Sequence, residues 1–253
     1  MIDFESKPKY GFYDLVKLMG ILREHCPWDR EQTHESIRQS FIEETYEAVE
    51  AIDLGDTALL REELGDVLLQ VVFHSHIEKE NGNFDIDDVC DEEIRKLIHR
   101  HPHIFGDTTA ETSDEVLTVW DDIKRQDKGG SYRKTVDSVA KALPALMRAE
   151  KMQGRATKSG FQLREAFSDL EEELSECRAA TGESSVLDEV GDVLFAAVNV
   201  ARQKGVDPEL ALTRSCDKFA RRFGYVEREG GDLSKLSAEE QEALWEQAKE
   251  EGL

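Results

Sequence analysis

The chain repeats itself, and no other feature of its sequence limits the fold as much. "EELGDVLLQVV" (62–72) returns as "DEVGDVLFAAV" (188–198), "EETYE" (43–47) as "EELSE" (172–176), and "LVKLMGILRE" (15–24) as "LPALMRAEKM" (143–152). A fainter echo joins "KLIHR" (96–100) to "KFARR" (218–222). Order is preserved and the offsets drift only slightly, so a module of roughly a hundred residues has been duplicated in tandem, with insertions confined to loops. Apolar residues recur at three- and four-residue spacing, prolines number only five, and β-branched alternation is nearly absent. These features predict an all-α chain of two tandem helical-bundle modules.

The stretch "DDIKRQDKGGSYRKTVDSVAKA" (121–142) carries a Gly-Gly pair, charge and little apolar content. It divides the chain into an N-terminal module (1–125), a linker (126–142) and a C-terminal module (143–253).

Carboxylates dominate both copies. Residues three and four apart share a helix face, so Glu173 and Glu176 point one way, as do Glu189 and Asp192 on the next helix. Between them Thr181, Gly182, Ser184 and Ser185 form a turn that folds the helices antiparallel and lets four carboxylates converge. The N-terminal copy offers Glu44, Glu47, Glu63 and Asp66 in the same arrangement. Taken alone, the first helix of that pair has a bland explanation: Ile42, Thr45, Tyr46, Val49 and Ile52 form one stripe, and Glu43, Glu47 and Glu50 lie opposite on a solvated face.

The second helix is harder to dismiss. From Leu64 to Phe73 its only polar side chains are Asp66 and Gln70, and from Val190 to Ala201 only Asp192 and Asn199. Such a helix is expected to be buried, and buried carboxylates without a partner cost several kcal/mol or take up protons. A cation must compensate. With no Cys or clustered His among the candidates, the donor set selects Mg²⁺, with Mn²⁺ as the alternative. Gly65 and Gly191 beside the aspartates would let a neighbouring helix or ligand approach. Mg²⁺ held by carboxylates keeps waters and completes its shell with substrate phosphates, which points to a polyphosphate substrate. Lys218, Arg221 and Arg222 share a helix face and could grip phosphate oxygens; without the acids nearby, a surface patch would explain them equally well.

The remaining features narrow the function further. Lys plus Arg number 32 against 55 Asp plus Glu, a formal charge of −23, which disfavours nucleic acid and anionic membrane as partners. No apolar run approaches the ~20 residues of a membrane span, and "MIDFESKPKYGF" lacks the apolar core of a signal peptide, so a cytoplasmic protein is expected. Cys26, Cys90, Cys177 and Cys216 show no C-x-x-C spacing and are expected to be free thiols. All seven histidines precede residue 104. Pro102 interrupts "HRHPH" (99–103), so these residues, with His74 and His76, are assigned to capping the third helix of the first module and to packing a dimer rather than to zinc. In "CPWD" (26–29), Pro27 and Trp28 are expected to form a turn, with Trp28 in the core.

The pattern E-E-x-x-E followed by E-x-x-D, present as "EETYE…ELGD" and "EELSE…EVGD", together with "CPWD" and "RHPHIFGD" (100–107), resembles the MazG family of tandem-domain nucleoside triphosphate pyrophosphohydrolases. The likeness spans essentially the whole chain. It implies an all-α fold, a homodimer, Mg²⁺ dependence, and hydrolysis of NTPs and dNTPs between the α and β phosphates to a nucleoside monophosphate and pyrophosphate. By the same resemblance the metal ligands are Glu173, Glu176, Glu189 and Asp192, with Glu172 beside them as a candidate either to support the ligands from behind or to act as base. Phosphate and nucleotide contacts fall on Lys218, Arg221, Arg222 and Trp245, and Asn199 backs the cradle. The resemblance also places most of the catalysis in the C-terminal module. The N-terminal copy keeps Glu44, Glu47, Glu63 and Asp66 but has Phe73 where the other has Asn199, and His99 where it has Arg221. The rival expectation is an acidic helical scaffold that binds a protein partner and turns over nothing. A ferritin-like di-iron protein is disfavoured, because aspartate stands where that fold wants histidine three residues after Glu63 and Glu189.

Overall fold

A computed structural model describes residues 4–127 and 136–253. The centre of the predicted linker, residues 128–135, lies outside the described residues. The chain is all-α, with twelve α-helices and no strand among the described residues. It divides into two compact units, residues 1–120 and 121–253.

The first unit comprises α1 (Phe12–His25), α2 (Pro27–Glu31), α3 (His34–Leu54), α4 (Thr57–Asn81), α5 (Ile86–Arg100), α6 (Pro102–Phe105) and the start of α7 (Ser113–Asp127). The α3–α4 hairpin is its backbone, and α1 packs on α4. Local chemistry fixes the hairpin's corner: Gly55 adopts φ +66° at the end of α3, where a side chain would be strained. Asp56 then caps α4 by accepting from the Ala58 and Leu59 amides at 2.9 and 3.0 Å. The core is Met19, Ile37, Val72, Phe73 and Ile77, with Phe12, Leu15, Val16 and Leu69 packed against it.

A buried arginine ties the first unit together. Arg23 on α1 forks onto Glu80 of α4, Nε to Oε1 at 3.0 Å and Nη2 to Oε2 at 2.5 Å, while Nη1 donates to the carbonyls of Asp29 and Gln32 at 2.5 and 2.9 Å. Its guanidinium also lies over the Phe73 ring. One side chain thus fixes α1, α2 and α4 together. On the other side of α4, His34 meets His74 through their Nδ1 atoms at 2.6 Å and Glu78 through Nε2 at 2.7 Å. His101 bonds through Nδ1 to the Leu97 carbonyl at the end of α5, a capping role of the kind expected for this cluster.

The second unit comprises α8 (Ala145–Lys158), α9 (Ala166–Ala179), α10 (Glu183–Gln203), α11 (Pro208–Gly230), a 3-10 turn (Leu233–Lys235) and α12 (Ala238–Glu250). Here α9 and α10 form the hairpin, turned at Gly182 with φ +91°, and α8 packs on α10 and α11. Gln153 of α8, 1% exposed, donates to the Phe195 carbonyl of α10 at 2.8 Å. Buried apolar side chains here are small: Ala166, Ala196, Val198, Val226 and Ala248.

Four expectations fail. The second helix of each hairpin is not buried all round: Leu64 and Leu68 on α4, and Val190 and Leu194 on α10, are exposed, as is Leu187 at 73%. The α3 stripe is inverted, since Ile42, Tyr46, Val49 and Ile52 face out while Ile37, Ala48 and Ala51 face in. Trp28 is 61% exposed rather than core, because α2 is held by its backbone carbonyls through Arg23 and needs no indole beneath it. At Gly65 and Gly191 an added Cβ would meet nothing within 4 Å, so among the described residues no neighbouring helix uses the space they leave, which stays open to a ligand.

Candidate metal centres

Each hairpin gathers three carboxylates. In the first unit, ligand oxygens of Glu44, Glu63 and Asp66 all lie within 4.8 Å of one another; in the second, those of Glu173, Glu176 and Glu189 do so. Two oxygens on opposite sides of one Mg²⁺ are about 4.2 Å apart, so a small closure accommodates the ion in either place. The fourth expected acid stands beside each trio. Glu47 raises the pKa of both Glu44 and Glu63, and Asp192 is the nearest charge acting on Glu173.

These carboxylates lack cations. Among the described residues no Lys or Arg forms an ion pair with any of Glu44, Glu47, Glu63 and Asp66, or with any of Glu173, Glu176, Glu189 and Asp192. Desolvation first, and like charge second, push the carboxyls of Glu44, Glu63 and Glu173 above their ordinary value. Glu63, only 9% exposed, is the most enclosed of the eight. Partial burial of several acids without a neutralising partner is the arrangement that a divalent oxygen-loving cation relieves, so the donor set fits the expected group.

The predicted substrate residues are dispersed. Lys218 and Arg221 on α11 are exposed and form no ion pair among the described residues. Arg222 is already engaged: Nε donates to the Leu253 carbonyl at 2.6 Å, and its guanidinium lies over the Trp245 ring. Trp245 also packs against Phe219, so it joins α12 to α11. Asn199 is buried, and its Oδ1 accepts from Arg202 at 2.9 Å. None of the five makes an ion pair or hydrogen bond with the carboxylates.

One residue at this site escaped the sequence reading. Arg164, in the loop before α9, forms ion pairs with Glu172 through Nη2 and with Asp169 through Nη1, the latter at 3.3 Å. No helical period signals it, because it precedes the helix whose acids it contacts. The N-terminal equivalents of the α11 cations are spent elsewhere: Lys96 pairs with Glu93 on its own helix, and His99 and Arg100 each have partners.

Comparison with known proteins identifies the family. Residues 32–105, which hold the first hairpin, match the MazG nucleotide pyrophosphohydrolase domain. The chain is 42% identical over 247 residues to the nucleoside triphosphate pyrophosphohydrolase/pyrophosphatase MazG of Thermotoga maritima, covering 94% of this chain and 95% of that protein. It is 40% identical over 251 residues to the nucleoside triphosphate pyrophosphohydrolase of Escherichia coli, covering 93% and 95%. An uncharacterized protein of Bacillus subtilis, YabN, is 44% identical over 261 residues, which span 97% of this chain and 53% of that protein.

Proposed function

Since this chain belongs to the MazG nucleotide pyrophosphohydrolase family, we propose that it is a Mg²⁺-dependent nucleoside triphosphate pyrophosphohydrolase. It would cleave NTPs and dNTPs between the α and β phosphates to a monophosphate and pyrophosphate, in nucleotide-pool housekeeping. The observation that carries this reading is the convergence of Glu173, Glu176 and Glu189, with Asp192 alongside, into a carboxylate cradle with which no described Lys or Arg forms an ion pair.

The four acids would hold the metal, Mg²⁺ or Mn²⁺. When bound, the ion supplies Lewis acidity toward the polyphosphate and the attacking water. Glu172 adjoins the cradle on α9 without belonging to its close trio and, paired there with Arg164, would accept the proton of that water. Lys218 and Arg221, with no ion pair to break, are available to neutralise the departing pyrophosphate. Arg222 keeps α11 and α12 together, and so supports Trp245 rather than gripping phosphate itself. The N-terminal cradle of Glu44, Glu47, Glu63 and Asp66 would bind metal without comparable turnover, because Phe73 and His99 stand where the other copy has Asn199 and Arg221.

Exposed apolar residues in each unit support a homodimer: Ile42, Tyr46, Val49 and Ile52 on α3 and, in the other unit, Leu187 and Leu194 on α10, both sets left open by the described residues. No described helix is long and apolar enough to cross a membrane, in keeping with the cytoplasmic site proposed for nucleotide hydrolysis. The deciding experiment incubates the protein with each NTP and Mg²⁺ and separates the products by chromatography. Monophosphate and pyrophosphate are expected; diphosphate with phosphate, or no turnover, sinks the reading.

A further inference from the structure

We propose that Arg164 grips the end of the bound polyphosphate, held in place for that task by Asp169 and Glu172. The inference rests on the reading of the second hairpin as a metal–triphosphate site and adds to it a phosphate-binding residue. Among the described residues, Arg164 is the one cation that forms an ion pair with Asp169 or Glu172, and no other basic side chain reaches the acids of this hairpin from 169 to 192.

The geometry suits such a role. Asp169, Glu172 and Glu173, and Glu176 recur at three- and four-residue steps, so they line a single side of α9. Arg164 sits at the N-terminal end of that line, with Nη1 on Asp169 and Nη2 on Glu172. A guanidinium has five N–H donors in a fixed plane. Two are used, one on each terminal nitrogen, and three remain for another acceptor. The side chain is 58% exposed, so those donors reach solvent rather than protein. A polyphosphate anchored by metal at Glu173, Glu176 and Glu189 has to run out of the cradle in some direction, and the end of the α9 line is where a second cation waits. Two carboxylates fix the guanidinium's orientation before the substrate arrives, which lowers the entropy lost on gripping it.

The N-terminal copy lacks this device. Arg164 lies eight residues before Glu172, and the same step back from Glu43 falls on Glu35. Glu35 opens α3, where its carboxylate is stabilised by its own backbone amide and by Thr33. An acid at that place repels phosphate.

Binding of Mn²⁺ alone, and then of inorganic tripolyphosphate in saturating Mn²⁺, is measured by calorimetry on the full chain and on Arg164→Ala and Arg164→Lys. The expected result is unchanged Mn²⁺ affinity in all three, tripolyphosphate affinity about tenfold weaker in Arg164→Ala, and partial recovery in Arg164→Lys, which keeps the charge but not the fork. In turnover, Arg164→Ala should raise KM for NTP by a similar factor, while Arg164→Lys, which keeps a cation beside the proposed base Glu172, should leave kcat within about threefold. Equal tripolyphosphate affinity in Arg164→Ala and the parent overturns the inference. Loss of Mn²⁺ binding in Arg164→Ala also overturns it, because the residue would then be shaping the cradle. A parent protein that binds no tripolyphosphate in Mn²⁺ overturns the functional reading beneath it, an outcome distinct from either.

Discussion

The two hairpins carry the same acidic pattern and put it in different surroundings. In the first unit the cradle is more enclosed, with Glu63 nine-tenths buried and both Glu44 and Glu63 shifted upward. The helix that bears Glu63 is locked further along by Arg23 to Glu80 and by His34 to His74 and Glu78. In the second unit Glu176 and Asp192 are exposed, burial pushes Glu173 upward, and the matching stretch of α10 has Asn199 and Arg202 in place of Phe73 and His76. The second copy has Lys218 and Arg221 exposed and, among the described residues, in no ion pair, with Arg164 beside its acids; the first has Lys96 paired with Glu93, and Glu35 at the place of Arg164. A duplicated site can therefore separate its tasks, with one copy rigid and able to bind an ion, and the other open enough to admit and release a charged substrate.

The sharpest way to break this comparison is to remove one acid from each copy. Glu173→Ala or Glu189→Ala should lower pyrophosphate release by about a thousandfold or more, the scale on which losing a key charge-stabilising group at a reacting phosphate is felt. Glu44→Ala or Glu63→Ala should cost less than about threefold in the same assay. If the N-terminal changes prove the more damaging, the assignment of copies is reversed. Next in size is a stability effect confined to the first unit. Arg23→Ala removes a buried fork and strands two carbonyls, and should lower unfolding free energy by about 3 kcal/mol in urea. Lys151, at the aligned position in the second copy, is exposed, and its replacement by Ala should change stability by less than about 0.5 kcal/mol.

Much of this architecture is legible in the chain. The repeat of "ELGD" as "EVGD" fixed the two hairpins, and the turn between Glu176 and Glu189 falls where Gly182 adopts its positive φ. Helix starts follow their caps, as at Asp56, Asp207 and Ser237. What failed has a common cause. Periodicity shows that Ile42, Tyr46, Val49 and Ile52 share a face, and says nothing about what covers that face, which the described residues leave exposed. The same error buried α4 and α10 on paper. Arg164 was missed for a different reason: a loop side chain reaching forward onto a helix follows no period, and only the fold reveals its partners. Trp28 misled because an indole of that size is usually covered, whereas the hydrogen bonds from Arg23 to the α2 carbonyls remove the need.

Acid and base titration of the metal-free protein sharpens the comparison more gently. Glu44 and Glu63 have raised folded pKa values, so their contribution to stability is fully present below the ordinary glutamate value of 4.5 and is lost as pH rises through the folded values. Glu63→Gln should therefore raise the metal-free Tm at pH 7, and added Mn²⁺ should stabilise the parent more than this variant. Glu173→Gln should show the same sign and a smaller change, because Glu173 is less enclosed than Glu63. Glu78 runs the other way. Hydrogen bonds from His34, Asn83 and Asn81 hold its pKa at about 2, so its stabilisation is present above 4.5 and is lost as pH falls from there toward 2. Glu78→Gln should flatten that acid limb of the Tm profile.

The smallest effect is the most specific. Trp28→Ala removes the largest side chain of "CPWD", yet more than half of that side chain faces solvent and α2 is anchored through backbone carbonyls that the change leaves untouched. Thermal unfolding of the variant should shift by the equivalent of less than about 0.5 kcal/mol. A core indole would cost about 3–5 kcal/mol on the same replacement, so the two placements of Trp28 are separated by a single melting curve. A large loss would mean that this face is covered in solution, and since nothing within the first unit covers it, the cover would have to come from another chain.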